Sequence, residues 1–360
     1  MEGVPMDKEK LQHFREKIDD LDKQIAGLIA ERAETAREIG RAKGGAPVYD
    51  PVRENQVIGR VLRECPDLDR EAVTRIYREL ISLCRGVQYR PKAAFLGPEG
   101  SFSHEGVFAA FGGTVDPVPC ASFPDVFAAV DKGLADWGVL PAENSLEGTV
   151  LPTMDAFASA AKDIVIHNEV SINVDHMLAS EGTAPEDIRE ILSHPQALGQ
   201  CREWLRSNLP RAEQVPVAST SAAAAACAGR PERAAVCSAL AAERCRLNIL
   251  AEKIQDRGSN RTRFWVVGRG TPRRGERNKT SFLFNVEHKP GRLFYALEPL
   301  YENGLNLTHI QSRPLSGSPF EYYFFIDVEG FLDDEPVRKA LDTMRERTVF
   351  LRLLGSYPCR

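Results

Sequence analysis

Apolar residues recur at three- and four-residue intervals through the first forty positions: Leu11, Phe14, Ile18, Leu21, Ile25, Leu28 and Ile39. Such spacing draws one stripe along a helix. It predicts a single helix over 7–43, capped by Asp7 and ended by Gly44 and Gly45. At roughly 1.5 Å per residue that helix spans roughly 55 Å, more than a small domain can cover, so its stripe calls for a second chain. Two more helices follow over 51–64 and 69–87, separated by Cys65-Pro66-Asp67, and 86–92 reads as a boundary.

From residue 93 the rhythm changes. Short apolar runs over 93–96, 137–140, 163–166, 188–192, 234–237 and 264–267 alternate with helical stretches, which predicts an α/β domain. The alanine run 222–226 reads as a close-packed helix, because Ser219, Thr220 and Ser221 supply a cap before it. After an Arg- and Gly-rich linker over 269–279 comes a strand (281–287), a helix (291–303), a strand (305–313), a turn (315–319), a strand (321–328), a helix (334–347) and a strand (349–357). That βαββαβ order is ferredoxin-like. The expected domains are therefore 1–90, all-α; 91–268, α/β; and 280–360, α+β.

Composition narrows the partners. The 360 residues carry 46 Lys+Arg against 51 Asp+Glu, a net charge of −5, so no overall basic field points to nucleic acid or to a membrane. Eight cysteines are scattered without a CxxC pair or a histidine at zinc spacing, which argues for reduced thiols and against a disulfide framework or metal site. No apolar run approaches ~18 residues and none opens the chain, so the expected location is the cytosol.

Charged groups sit where chemistry would need them. Arg32 falls on the apolar stripe of the first helix, and Lys43 faces the same way eleven residues on. A cation on an apolar face either snorkels to water or awaits an anion. Further along, five polar knots stand at strand ends or helix starts: GPEGSFSHEGVFAAFG (97–112), PAENSLEGTV (141–150), ILSHPQALGQC (191–201), STSAAA (219–224) and NRTRF (260–264). In an open α/β sheet that is where ligands gather. His104 and His194 leave room for a nucleophilic pair or a general base, though SHP also reads as a helix cap, and Glu143 for polarising the site or for a structural role.

These residues carry three resemblances. FREKIDDLDKQIAGLIAERAETAREIGRAK with YDPVREN and IYRELISLCRGVQ resembles the all-helical chorismate mutases, which implies three helices in a domain-swapped dimer. The likeness puts Arg15, Arg32, Lys43, Asp50, Arg53, Glu54 and Gln88 on site positions, with Cys84 where many relatives have Ser. Arg15 and Arg32 would clamp carboxylates, Arg15 across the dimer; Lys43 and Gln88 would donate to the ether oxygen; Glu54 would accept from the ring hydroxyl. The five knots resemble prephenate dehydratase, implying two lobes like a periplasmic binding protein, 93–168 with 249–268 and 169–248. Prephenate would lie between them, with Asn260, Thr262 and Arg263 projecting into the cleft and Phe264 anchoring their strand, Thr262 hydrogen-bonding the departing hydroxyl, and Asn144, Ser145, Ser193, Gln196, Ser219 and Thr220 around the substrate. HKPGRLFYALEPLYENGLNLTHIQSRP resembles an ACT domain that senses phenylalanine, through Gly291, Arg292 and Leu293 and through Gln311, Ser312, Arg313 and Pro314. Arg292 and Gln311 depart from the usual small residue and Glu.

Together the resemblances imply a bifunctional enzyme of phenylalanine synthesis, converting chorismate to prephenate and then to phenylpyruvate, under feedback by L-phenylalanine. It would need no cofactor and would act as a homodimer or homotetramer. A dehydratase with a non-catalytic helical dimerisation domain, or a non-catalytic two-lobed sensor, remain the alternatives at this point.

Overall fold

The structure, a computed structural model, describes residues 8–44, 49–314 and 322–359. The cap expected at Asp7 and the turn expected over 315–319 lie outside them. The chain divides into two compact units, residues 1–90 with 112–114, and residues 91–111 with 115–360.

In the first unit, α1 (Lys8–Lys43), α2 (Pro51–Glu64) and α3 (Arg70–Gly86) are the three expected helices. Asp50 accepts the Arg53 N–H and Pro51 fills the first turn of α2, while Asp69 accepts the Ala72 N–H at the start of α3. α1 buries only Ala33 and Ala36, which pack on Cys84, Leu80 and Val87 of the α3 segment. Its remaining stripe stays open: Phe14, Ile18, Leu21, Ile25 and Leu28 are 47–64% exposed.

The second unit begins with β1 (Lys92–Leu96), α4 (Phe102–Phe111), β2 (Asp116–Cys120), α5 (Phe123–Asp131), β3 (Trp137–Asn144), β4 (Gly148–Thr149), α6 (Leu151–Ser159) and β5 (Ile164–Asn173). A second run follows: β6 (Met177–Ser180), β7 (Glu190–Ser193), α7 (Pro195–Gln200), α8 (Arg202–Asn208), β8 (Glu213–Pro216), α9 (Thr220–Ala226), β9 (Arg233–Cys237), α10 (Ala239–Arg244) and β10 (Asn248–Ala251). β11 (Arg261–Arg269) then returns to the first sheet, ordered β2-β1-β3-β11-β5, while the second sheet runs β10-β6-β9-β7-β8. This gives two α/β lobes. Two boundaries differ from the sequence reading: β5 stays in the first lobe as far as Asn173 because β11 pairs along it, and β10 joins the second lobe through antiparallel pairing with β6.

The tail supplies β12 (Asn278–Asn285), α11 (Arg292–Glu302), β13 (Leu307–Pro314), β14 (Tyr322–Glu329), α12 (Glu335–Arg347) and β15 (Phe350–Pro358), in a sheet ordered β13-β14-β12-β15. Alternation along its strands gives the sheet two apolar faces. Phe282, Phe284, Ile326 and Val328 pack on α11 and α12. Leu283, Phe325, Leu354 and Tyr357 instead share a core with Trp265, Ile166 and Phe157 of the first lobe. Gly355 lies so close to β5 that a Cβ there would meet the Ile166 carbonyl oxygen at 2.5 Å. Arg352 donates to the carbonyls of Phe157, Ala158, Ala160 and Ala161, closing the C-terminal end of α6.

The lobes also meet where the loop after β1 reaches α10. Ser238 Oγ donates to the Gly100 carbonyl at 2.7 Å, Arg244 pairs with Glu99, and the Glu105 carboxyl accepts the Leu240 N–H beside the Ser238 hydroxyl. Burial pushes Glu105 up to about 7. A carboxyl raised in the fold favours the protonated form, so its stabilising share is complete below an unfolded value near 4.5 and lost as pH rises to about 7. Glu105→Gln removes that loss. Relative to the parent it should gain about 2 kcal/mol between roughly pH 5 and pH 8, read from urea melts.

Candidate active sites

A cleft of about 560 Å³ opens between the lobes of the second unit, lined by Asn144, Gln196, Ser219, Thr220, Asn260, Thr262 and Phe264 of the expected residues, and also by His176 and Gln200. A larger hollow of about 740 Å³ beside α5 and α6 offers no comparable donors. Its two acids, Asp131 and Asp155, are occupied by Arg269 and Arg313.

The cleft's hydrogen bonds have a fixed direction. Asn144 Oδ1 accepts the backbone N–H groups of Leu146 (3.0 Å) and Glu147 (3.1 Å), which can only donate. Its amide nitrogen must therefore face Asn260 Oδ1 (2.7 Å) and Thr262 Oγ1 (2.9 Å). Thr262 receives a hydrogen bond from below, and its own O–H is left to donate into the cleft. Asn260 Nδ2 in turn donates to Gln200 Oε1 at 3.3 Å, and His176 Nε2 lies 2.9 Å from the same oxygen. Since that oxygen only accepts, His176 carries its proton on Nε2, and burial lowers the ring's pKa, keeping it neutral. Gln200 itself lines the cleft.

Asn260 is expected at the cleft from the sequence, whereas Gln200 and His176 are not. Asn260 stands two residues before Thr262 on the same face of an extended segment, and Gln200 four residues after Gln196 on one side of α7. Both signals were present in the spacing.

Three expected cleft residues lie elsewhere. Ser193, fully buried, donates to the Val236 carbonyl at 2.6 Å and ties β7 to β9. Ser145 Oγ donates to the Ser259 carbonyl and accepts the Arg261 N–H, stapling the end of β11. Arg263 points to the opposite sheet face from Thr262 and Phe264, because neighbours on a strand alternate. Its guanidinium meets Glu143 (3.1 Å), Glu169 (2.9 Å) and Asp327 (3.1 Å). Glu143 is thus an ion-pair partner. His104 stacks between Phe95 and Phe108 and accepts the Gly100 N–H, and His194 accepts the Gln196 N–H as the α7 cap. His104 thus holds structure, while His194, besides capping α7, also lines the cleft.

In the first unit, among the described residues, Arg32 reaches the Leu80 carbonyl at 3.4 Å, and Gln88 donates to the Cys84 carbonyl while its Oε1 has no partner there. Lys43 is exposed. Among the described residues neither Arg32 nor Lys43 has a carboxylate partner. Arg15 and Arg53 are exposed, and Asp50 caps α2. One oxygen of Glu54 is engaged: Arg85, itself 3% exposed, donates to its Oε1 at 2.7 Å and lies against the Tyr49 ring. Burial raises Glu54 and Arg85 opposes that shift. A guanidinium this deep needs a counter-charge, and Glu54 provides it.

Around the expected effector loops, Gly291 takes φ +78° ahead of α11, where a side chain would be strained. Arg292 pairs with Glu287, Leu293 packs on the sheet core, and Gln311 donates to the Ser312 carbonyl. Arg313 is turned to Asp155 of α6 at 2.8 Å, and Pro314 closes β13 opposite Tyr322.

Comparison with known proteins agrees with this division. Family models for chorismate mutase type II, prephenate dehydratase and the ACT domain match residues 14–89, 93–272 and 280–346. A bifunctional chorismate mutase/prephenate dehydratase of Aquifex aeolicus is 40% identical over 357 residues, covering 97% of this chain and 98% of that protein. Among solved structures, a prephenate dehydratase from Arthrobacter aurescens in complex with L-Phe is 35% identical with a TM-score of 0.69, covering 74% of this chain and 90% of that one. Another, described as a novel type of quorum quenching acylase, is 34% identical with a TM-score of 0.69 and covers 75% and 98%.

Proposed function

The chain belongs to the bifunctional chorismate mutase/prephenate dehydratases, and from that premise we propose how its parts divide the work. The helical unit rearranges chorismate to prephenate, the two-lobed domain converts prephenate to phenylpyruvate, and the ACT domain lowers that output when L-phenylalanine binds.

The observation that carries the dehydratase reading is the direction of the Asn144–Thr262 hydrogen bond. As the C–CO2 bond of prephenate breaks, its electron pair moves into the ring and the C4–OH bond breaks, giving an aromatic ring, CO2 and hydroxide. Hydroxide is a poor leaving group, and a hydroxyl already accepting a hydrogen bond is a better donor to it. Thr262 is that group, polarised by Asn144. Gln196, Gln200, Ser219 and Thr220 would hold the carboxylates from the second lobe, and Phe264 backs the ring.

For the mutase reaction the needed groups are donors that strengthen as charge gathers on the ether oxygen. Lys43 would take that part with Gln88, while Arg32, like Lys43 without a carboxylate partner among the described residues, would clamp a substrate carboxylate, and Arg53 and Asp50 stand at the start of α2. Arg15, seventeen positions before Arg32 on one unbroken helix, lies roughly 25 Å along it, so it would serve a second copy's site. The open stripe of α1 fits that partner, and the working state we propose is a dimer, located in the cytoplasm.

Feeding purified protein with chorismate alone tests the whole reading. Prephenate should appear first and phenylpyruvate after it, with saturating phenylalanine slowing only the second step. Unchanged chorismate overturns the mutase assignment, accumulated prephenate the dehydratase assignment, and indifference to phenylalanine the sensor.

A further inference from the structure

Directly behind the Thr262–Asn144 pair, on the other face of the sheet, lies a buried ionic cluster. Arg263 and Lys279 face Glu143, Glu169 and Asp327: Arg263 contacts all three acids, and Lys279 Nζ contacts Glu169 at 3.0 Å. Asp327 belongs to β14 of the ACT sheet and is held there by Ser281 Oγ (2.5 Å), which also meets the Tyr357 hydroxyl (2.8 Å). Burial works against the Arg263 charge, yet Asp327 and Glu169 hold its pKa above the ordinary range.

The strand register explains why this place matters. β11 pairs with β3 as Thr262 opposite Asn144 and Arg263 opposite Glu143, and then slips, so that Phe264 faces Pro141. A bulge weakens the ladder at that point. Beyond it, the Arg263–Glu143 pair joins the Thr262–Asn144 pairing, the Ser145 staple and the cleft hydrogen bonds in holding the reacting end of β11 to β3. The same guanidinium is bonded to the ACT sheet.

We infer that Arg263 is a positioning residue that sets the Thr262–Asn144 geometry from behind and, through Asp327, ties that geometry to the state of the ACT sheet. This deepens the proposed dehydratase function and rests on it. Arg263 touches no substrate, so its loss should act on turnover and not on binding. It also accounts for an arginine in a position where the cleft needs none.

Two variants test the inference. Arg263→Gln should lower dehydratase kcat about 30-fold with KM within about twofold, whereas a residue clamping a substrate carboxylate would raise KM tenfold or more. Arg263→Lys keeps the charge without the three-way fork and should restore only part of the loss. Asp327→Asn leaves two cations against two acids, so it keeps the cluster balanced even where Arg263→Gln misfolds. It should weaken phenylalanine inhibition at least about tenfold while calorimetric phenylalanine binding stays within about twofold. The mutase rate of each variant reports folding of the rest. A KM effect at Arg263, or intact inhibition in Asp327→Asn, overturns the inference. A parent protein without dehydratase activity, or without inhibition by phenylalanine, would instead overturn the functional reading beneath it.

Discussion

Thr262→Val should lose dehydratase turnover by about two to three orders of magnitude, the scale of removing one donor from a developing oxyanion, while chorismate is still rearranged at the parental rate. Valine has nearly the shape of threonine, and Thr262 is only 8% exposed, so packing changes little. What disappears is the O–H aimed at the leaving oxygen and the acceptor that engages Asn144. The Asn144 amide would then keep only Asn260 as partner on its nitrogen side. Phenylpyruvate formation from added prephenate measures the loss directly. A rate within a factor of three of the parent would move the hydroxyl donor elsewhere in the cleft.

The second large effect belongs to the helical unit. Arg32→Ala should cut mutase turnover by about three orders of magnitude, the scale of losing a charge-assisted donor from a dry site, and leave conversion of added prephenate untouched. Arg32 spends its guanidinium on one long contact to the Leu80 carbonyl, so truncation removes little from the fold. Chorismate consumption, followed with circular dichroism to verify the helices, separates a chemical loss from unfolding. Retained mutase activity would return Arg32 to the role of a snorkelling surface cation.

Much of the architecture was legible because burial imposes periodicity. The α1 stripe, the extents of α2 and α3 and the βαββαβ order of the tail all follow from spacing that water and backbone geometry enforce. The strands that escaped are short or unlike strands in composition. β2 reads Asp116-Pro117-Val118-Pro119-Cys120, two prolines that a sheet tolerates only because the strand lies at its edge. β10, another edge strand, had been assigned to the wrong lobe because pairing partners are not written in a four-residue segment. At the sites, residue type and order pointed to Thr262 and Asn144, which the fold brings together in the cleft, but not to the ion pairs that hold Arg263 and Glu54. A cation next to a reacting hydroxyl suggests an anionic ligand, yet adjacent strand positions face opposite ways, and the acids that neutralise Arg263 come from three distant strands. Glu54 is answered by Arg85, thirty-one residues away, for the same reason. Long-range charge pairing has no local signature.

The apolar underside of the ACT sheet has a consequence for dissecting the chain. Leu283, Phe325, Leu354 and Tyr357 complete the same core as Trp265, Ile166 and Phe157. A truncation after Arg269 would leave those large side chains wet and strip the α6 carbonyls of Arg352. The catalytic fragment would then aggregate or demand a chaperone, and the evolutionary unit that can be moved between genes is the lobed domain together with its sensor.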